Sequence, residues 1–221
     1  MGPWERISIQ EGIRAGRTLR SISDGIGFSR SSVSREVARG WAEGCEISGC
    51  PPEAEDRAVP GHWEGDLVIG GDLRSRLVAL VERKTRYLEM RALPAHGTRT
   101  AVDLLIETVA DVPESVRSSV LSTLAWDQGC ELADHARFTE GTGFKVYFCD
   151  PRSPWQKGAN ENADGLIRRY FPKGAVFADV DPERVRHVQG LLNSRPRETL
   201  GWRTPAEALA QVASEASEAV Q

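Results

Sequence analysis

Asp66, Asp127 and Glu161 are carboxylates at positions where packing alone has little use for one. Asp66 starts the apolar stretch of Gly61-His62-Trp63-Glu64-Gly65-Asp66-Leu67-Val68-Ile69-Gly70. Asp127 closes the apolar run Leu124-Ala125-Trp126, and Glu161 stands between Asn160 and Asn162. Thirty-three residues separate Asp127 from Glu161. An ionised carboxylate beside a sheet core is costly unless it is paired or binds a metal. Three held together would make a site for two divalent cations, chemistry that cuts and joins phosphodiester bonds. All-oxygen donors suit Mg²⁺ or Mn²⁺, whereas zinc would want more nitrogen or sulfur. Any one of the three alone reads as a surface or capping acid; together, with these flanks, they favour the metal site.

The elements around them must bring the three to one place. From Gly61 onward the pattern is α/β: strands at 63–69, 77–81 and 87–93, with short turns that favour antiparallel pairing. A helix over 100–110 follows, with Val102, Leu105, Ile106 and Val109 on one face. Then come a strand at 121–126 ending at Asp127, a helix over 131–139, a strand at 144–149, a loop at 151–158 and a helix over 160–170 bearing Glu161. This order predicts an α/β, RNase H-like (retroviral-integrase-like) core. Asp66 then falls on the central strand, Asp127 at the end of its neighbour, and Glu161 on a helix facing both.

The first forty residues read differently. Leu19, Ile22 and Ile26 have helical spacing, Gly27 permits a tight turn, and Ser29 can cap a second helix with Val33 and Val37 on one face. Helix, glycine turn, capped helix is a helix-turn-helix pattern, and its second helix would present Arg30, Ser31, Ser32, Ser34 and Arg35 to a DNA major groove. A plain helical hairpin with a solvated arginine face is the competing reading. The formal net charge is −4, yet six arginines (14, 17, 20, 30, 35, 39) against Asp24 and Glu36 give a local net of +4. The expected division is 1–42 helix-turn-helix segment, 43–60 linker, 61–210 catalytic domain and 211–221 an Ala/Glu/Ser-rich tail that frays. No apolar run has the length of a membrane span, and there is no signal-peptide pattern, so the expected location is cytoplasmic and nucleoid-associated. Cys45 and Cys50 are poorly spaced for zinc, and with Cys130 and Cys149 they read as reduced thiols.

The segments Gly61-His62-Trp63-Glu64-Gly65-Asp66-Leu67, Val81-Glu82-Arg83-Lys84-Thr85-Arg86-Tyr87, Val146-Tyr147-Phe148-Cys149-Asp150-Pro151, Ser153-Pro154-Trp155-Gln156-Lys157-Gly158, Asn160-Glu161-Asn162, Tyr170-Phe171-Pro172-Lys173-Gly174 and Leu200-Gly201-Trp202-Arg203-Thr204-Pro205 stand out as motifs. Together they resemble transposases of the insertion-sequence-thirty family. The resemblance covers essentially all of 61–210, and Ser31-Ser32-Val33-Ser34-Arg35-Glu36 is similar to the family's opening segment. It implies an acidic triad at Asp66, Asp127 and Glu161, binding to double-stranded DNA at terminal inverted repeats, strand cleavage at element ends and transfer to target DNA by a homo-oligomer. Around the triad, Lys157, Arg168, Arg169 and Lys173 are candidate phosphate contacts. Arg168 and Arg169 lie seven and eight positions after Glu161, on its helical face; arginines at a helix end also favour the dipole. Asn160 is placed to cap the helix or, with Asn162, to bond DNA. His62 shares a strand face with Asp66 and reads as an assisting or a structural group. Trp63, Trp126 and Trp155 read as packing residues.

Relatives carry a longer stretch between helix-turn-helix and catalytic segment; about twenty residues fill it here, too few for another folded unit. The short stretch favours a decayed copy or a DNA-binding regulator that keeps the second domain only for oligomerisation; a further rival, an RNase H-like nuclease without strand transfer, shares the metal site and differs only in its products.

Overall fold

The computed structural model describes residues 17–35, 57–93, 100–112, 121–127, 134–150 and 154–219, with isolated positions outside these ranges. Alternation of apolar residues explains the sheet. In β2 (Arg76–Glu82), Leu77, Ala79 and Val81 point to one layer, while Val78 and Leu80 point to the other. A strand buried on both faces must be covered twice, and it is. β1 (His62–Ile69), β2 and β3 (Leu88–Leu93) pair antiparallel, while β4 (Thr123–Trp126) and β5 (Lys145–Phe148) extend the sheet in parallel. The spatial order is β3-β2-β1-β4-β5, with β1 at the centre.

One layer holds α2 (Ala101–Ala110), α3 (His135–Thr142) and part of α6 (Pro205–Ala219), packed through Leu105, Phe138, Leu209 and Val212 against Trp63, Leu124 and Trp126. The other holds α4 (Gly158–Ile167) and α5 (Pro182–Asn193), packed through Ala163, Ile167, Val185 and Leu192 against Val68, Leu77 and Met90. α2 starts where expected, because Thr100 and Asp103 form a reciprocal capping box.

The differences from the expected elements have local causes. α3 ends at Gly143, whose φ of 79° breaks the helix, so it extends to Thr142 rather than stopping at 139. The loop before α4 contains a 3-10 turn, Pro154–Lys157. α4 itself begins at Gly158 and ends at Ile167, short of the expected 170. The supposed tail from 211 is instead the second half of α6, held because Val212 is buried against the core with Leu209. α5 carries local signals of its own: Asp181 caps it, Pro182 occupies its first turn, and Val185, Val188 and Leu192 have helical spacing.

At the N-terminus, α1 (Leu19–Ile26) is capped by Thr18 and ends at Gly27, whose φ is 71°. Residues 30–35 are helical, and the Ser29 hydroxyl accepts from the Ser32 amide at 3.1 Å, the expected cap. Ile9, Ile22 and Val33 form a small core of their own. Val37, Cys45, Cys130 and most of the 43–60 linker lie outside the described residues.

Candidate active site

Two tight contacts fix the strands that carry the aspartates. β1 and β4 pair so that Glu64 lies opposite Ala125, which brings Asp66 alongside Asp127 just past the end of β4. Gly65 precedes Asp66, and Trp126 precedes Asp127. A Cβ at Gly65 would lie inside the van der Waals surface of the Trp126 ring. The bare glycine therefore lets the indole cross β1, and the ring fills the layer opposite the aspartates. By strand alternation Asp66 points to the other side, toward α4, with Glu64 and Val68.

The N-terminal end of α4 is placed by a buried carboxylate. Glu64 is fully buried; its Oε2 accepts from the Asn160 backbone amide at 2.9 Å and its Oε1 from Arg83 Nε at 2.9 Å. Amides in a first helical turn lack intrahelical acceptors, and the dipole there favours negative charge, so Glu64 satisfies both demands. The preceding loop is tied as well: Gln156 Oε1 accepts from the Asp150 amide, and Gln156 Nε2 donates to the Asp150 carboxylate.

Lys157 ends that loop. Its ammonium lies 2.7 Å from Asp127 Oδ2 and 3.6 Å from Asp66 Oδ2. The lysine side chain is 6% exposed, against 44% for Asp66 and 63% for Asp127. The two aspartates thus converge on one buried cation while keeping open faces toward solvent. Asp66 Oδ1 also accepts from the Leu67 amide at 2.8 Å. Glu161 stands exposed in the first turn of α4, four residues and about one turn beyond Lys157. Among the described residues, no three His, Cys, Asp or Glu side chains are gathered closely enough to hold a metal. The structure therefore joins Asp66 and Asp127 through Lys157 and leaves Glu161 exposed, one turn along the helix end that follows the lysine.

Several expected roles change. Lys157 is not a surface cation free for phosphate but the buried partner of the aspartates. Asn160 does not cap α4: Lys157 occupies the cap position without a side-chain bond, and Asn160 lies inside the helix, 2% exposed. Its side-chain amide has no hydrogen-bond partner among the described residues. Arg168 and Arg169 follow the end of α4 instead of riding on its face. Arg168 Nη2 donates to the Ile69 carbonyl at 3.1 Å and pairs with Asp164 at 3.6 Å, tying α4 to β1; Arg169 and Lys173 are exposed. His62 is buried and shares a 2.8 Å hydrogen bond with Thr123, so it stitches β1 to β4. Trp63 and Trp126 are core residues as expected, and the Trp155 side chain lies outside the described set. In the N-terminal segment, Arg30, Ser31 and Arg35 are exposed, Ser32 and Ser34 half-buried, and Arg35 Nε donates to the Ser31 carbonyl.

Glu64 and Asp164 escaped the sequence reading, and Cys149, read there as a reduced thiol, lies near the site. Glu64 has a signal, since a second acid two residues from Asp66 shares its strand face. Asp164 follows Glu161 by three positions; burial raises its pKa, Arg168 lowers it, and the nearby Asp66 raises it further. Cys149 sits beside Lys157 and Asp127, but burial pushes its thiol up to about 12, which keeps it protonated and inert as a nucleophile.

The donor set fits a hard divalent cation. Two partly exposed carboxylates, already converging on one positive charge, are oxygen ligands of the type magnesium and manganese take.

Residues 56–154 match the integrase core domain. The chain is 43% identical, over 162 residues, to the transposase for insertion sequence element IS1086 of Cupriavidus metallidurans, covering 73% of this chain and 47% of that protein. It is 45% identical, over 153 residues, to the transposase InsI for insertion sequence element IS30A of Escherichia coli, covering 69% of this chain and 39% of that one. The matched segments span less than half of either relative's length. A simian T-cell lymphotropic virus intasome chain superposes with a TM-score of 0.52 at 15% identity, covering 68% of this chain and 55% of that one. That likeness concerns the fold, and the fold is the α/β, RNase H-like integrase core expected from the order of elements.

Proposed function

From an integrase core akin to those of insertion-sequence transposases, we propose that this chain is a DDE-type transposase. In this reading it cleaves DNA at the ends of an insertion sequence and joins the freed strand to target DNA. The observation that carries it is the convergence of Asp66 and Asp127 on one cation, at the end of the helix that bears Glu161. Asp66 and Asp127 would hold the divalent ions, two of Mg²⁺ or Mn²⁺, with Glu161 turning in as the third ligand. Such ions supply an activated water or 3′-hydroxyl and stabilise the leaving oxygen. Glu64 and Arg83 hold the helix end in place, and Arg168 keeps α4 against β1. Arg169 and Lys173, both exposed, would position DNA phosphates beside the carboxylates. Arg30, Ser31, Ser32, Ser34 and Arg35 would read duplex DNA at terminal inverted repeats, and the protein would act as a homo-oligomer on the nucleoid. Among the described residues, no helix is long and apolar enough to cross a membrane.

The test is strand cleavage with Mg²⁺ or Mn²⁺ on DNA carrying the element's own ends, comparing the native chain with Asp127→Asn. Cutting by the native chain alone supports the transposase. Folded, metal-binding protein that leaves the DNA uncut would overturn it. That outcome would favour the regulator, a reading that rests on the short 43–60 segment between the DNA-binding and catalytic parts.

A further inference from the structure

Lys157 is the group at the site whose position has no counterpart in the proposed chemistry. Its ammonium sits between Asp66 and Asp127, buried, on the residue that caps α4. Divalent cations and a lysine ammonium compete for the same carboxylate oxygens, and like charges within a few ångströms repel strongly in a partly desolvated site. The geometry points to Lys157 as a tethered counter-ion: it offsets one of the aspartate pair's two negative charges, and it must withdraw from them when they take a divalent cation. This rests on the metal-site reading above and adds to it a residue that sets the site's metal affinity.

Two features support the assignment. Lys157 forms an ion pair with both aspartates, at 2.7 Å from Asp127 Oδ2 and 3.6 Å from Asp66 Oδ2. Lys157 and Glu161 also share one helix end, about a turn apart. Withdrawal of the ammonium and entry of the third carboxylate are therefore side-chain rotations at one helix end, whose backbone Glu64 and Gln156 hold in place. The lysine thus holds the aspartates together without a metal, and weakens the metal's hold once it binds.

The test is Mn²⁺ binding, followed by calorimetry and by the electron-spin signal of free Mn²⁺, for the native chain, Lys157→Gln and Lys145→Gln. Lys145 is an exposed lysine at the start of β5 and controls for the loss of one positive charge. Removing Lys157 should tighten Mn²⁺ binding by at least about tenfold, with little change for Lys145→Gln. A loss of metal-free thermal stability should accompany it, since the two carboxylates then lie side by side with no cation between them. A merely structural lysine would not give tighter binding. Equal or weaker affinity in Lys157→Gln overturns the counter-ion while leaving the metal site standing; absence of Mn²⁺ binding in every variant overturns both. Should Lys157→Gln not fold, the native chain labelled at lysine Cε decides the matter. The Lys157 resonance must shift with Mg²⁺ at the same midpoint as binding, and a resonance that stays fixed through saturation rejects the proposal.

Discussion

At the scale of single residues, the carboxylates around α4 divide by what surrounds them. Asp66 and Asp127 remain partly open, while Glu64 is sealed against Arg83 and the Asn160 amide. Asp66→Asn or Glu161→Gln should abolish strand cutting while leaving DNA affinity within about tenfold, because phosphate contacts dominate binding; a variant that still cuts at the native rate would remove that residue from the catalytic set. Glu64→Gln belongs to another class. It keeps the shape but removes the charge opposite Arg83, whose side chain is 9% exposed. Breaking a buried pair from one side should cost about 3 kcal/mol in urea unfolding. Mutational loss under about 0.5 kcal/mol, typical of a surface site, would mean the pair does not hold α4.

At the scale of elements, close approaches set the register. Gly65→Ala drives a methyl into the Trp126 ring, and overpacking of this kind costs about 1–3 kcal/mol. Because the strain falls between the two strands that carry Asp66 and Asp127, cutting should fall more than stability does. Cutting at the native rate by a variant of lowered melting temperature would detach the Gly65–Trp126 contact from the site. The N-terminal helices form a separate small unit around Ile9, Ile22 and Val33, with Arg30 and Arg35 exposed. Arg30→Ala or Arg35→Ala should weaken binding to duplex ends and lower the salt slope by about 1 each. Unaltered affinity and slope would rule out this face as the DNA contact.

At the scale of the whole molecule, the side of the sheet away from β4 and β5 carries a pH-dependent weakness. Glu89 on β3 is buried; desolvation raises its pKa to about 7, against hydrogen bonds from Gln189 and Tyr87 that lower it. The folded state therefore holds this proton more tightly than the unfolded chain, whose Glu titrates near 4.5. The stabilisation is fully present below that value and is lost as pH rises toward 7, a decline of about 3 kcal/mol. Glu89→Gln should retain the bond to Gln189 and remove the decline, leaving the melting temperature higher than native at pH 8 and similar at pH 4.5. Parallel pH profiles for the two proteins would refute the assignment. What the sequence by itself determined is local: the apolar run of β2, the helical spacing in α2 and the caps at Thr100 and Ser29 depend on near neighbours, so the α/β order was readable from residue types. The extent of α6 and the roles of Lys157, Asn160 and Glu64 were decided only by the tertiary structure. Burial of Val212 and the meeting of Lys157 with Asp66 and Asp127 join positions far apart in the chain, and the charge state and openness of a site depend on those distant neighbours rather than on local pattern.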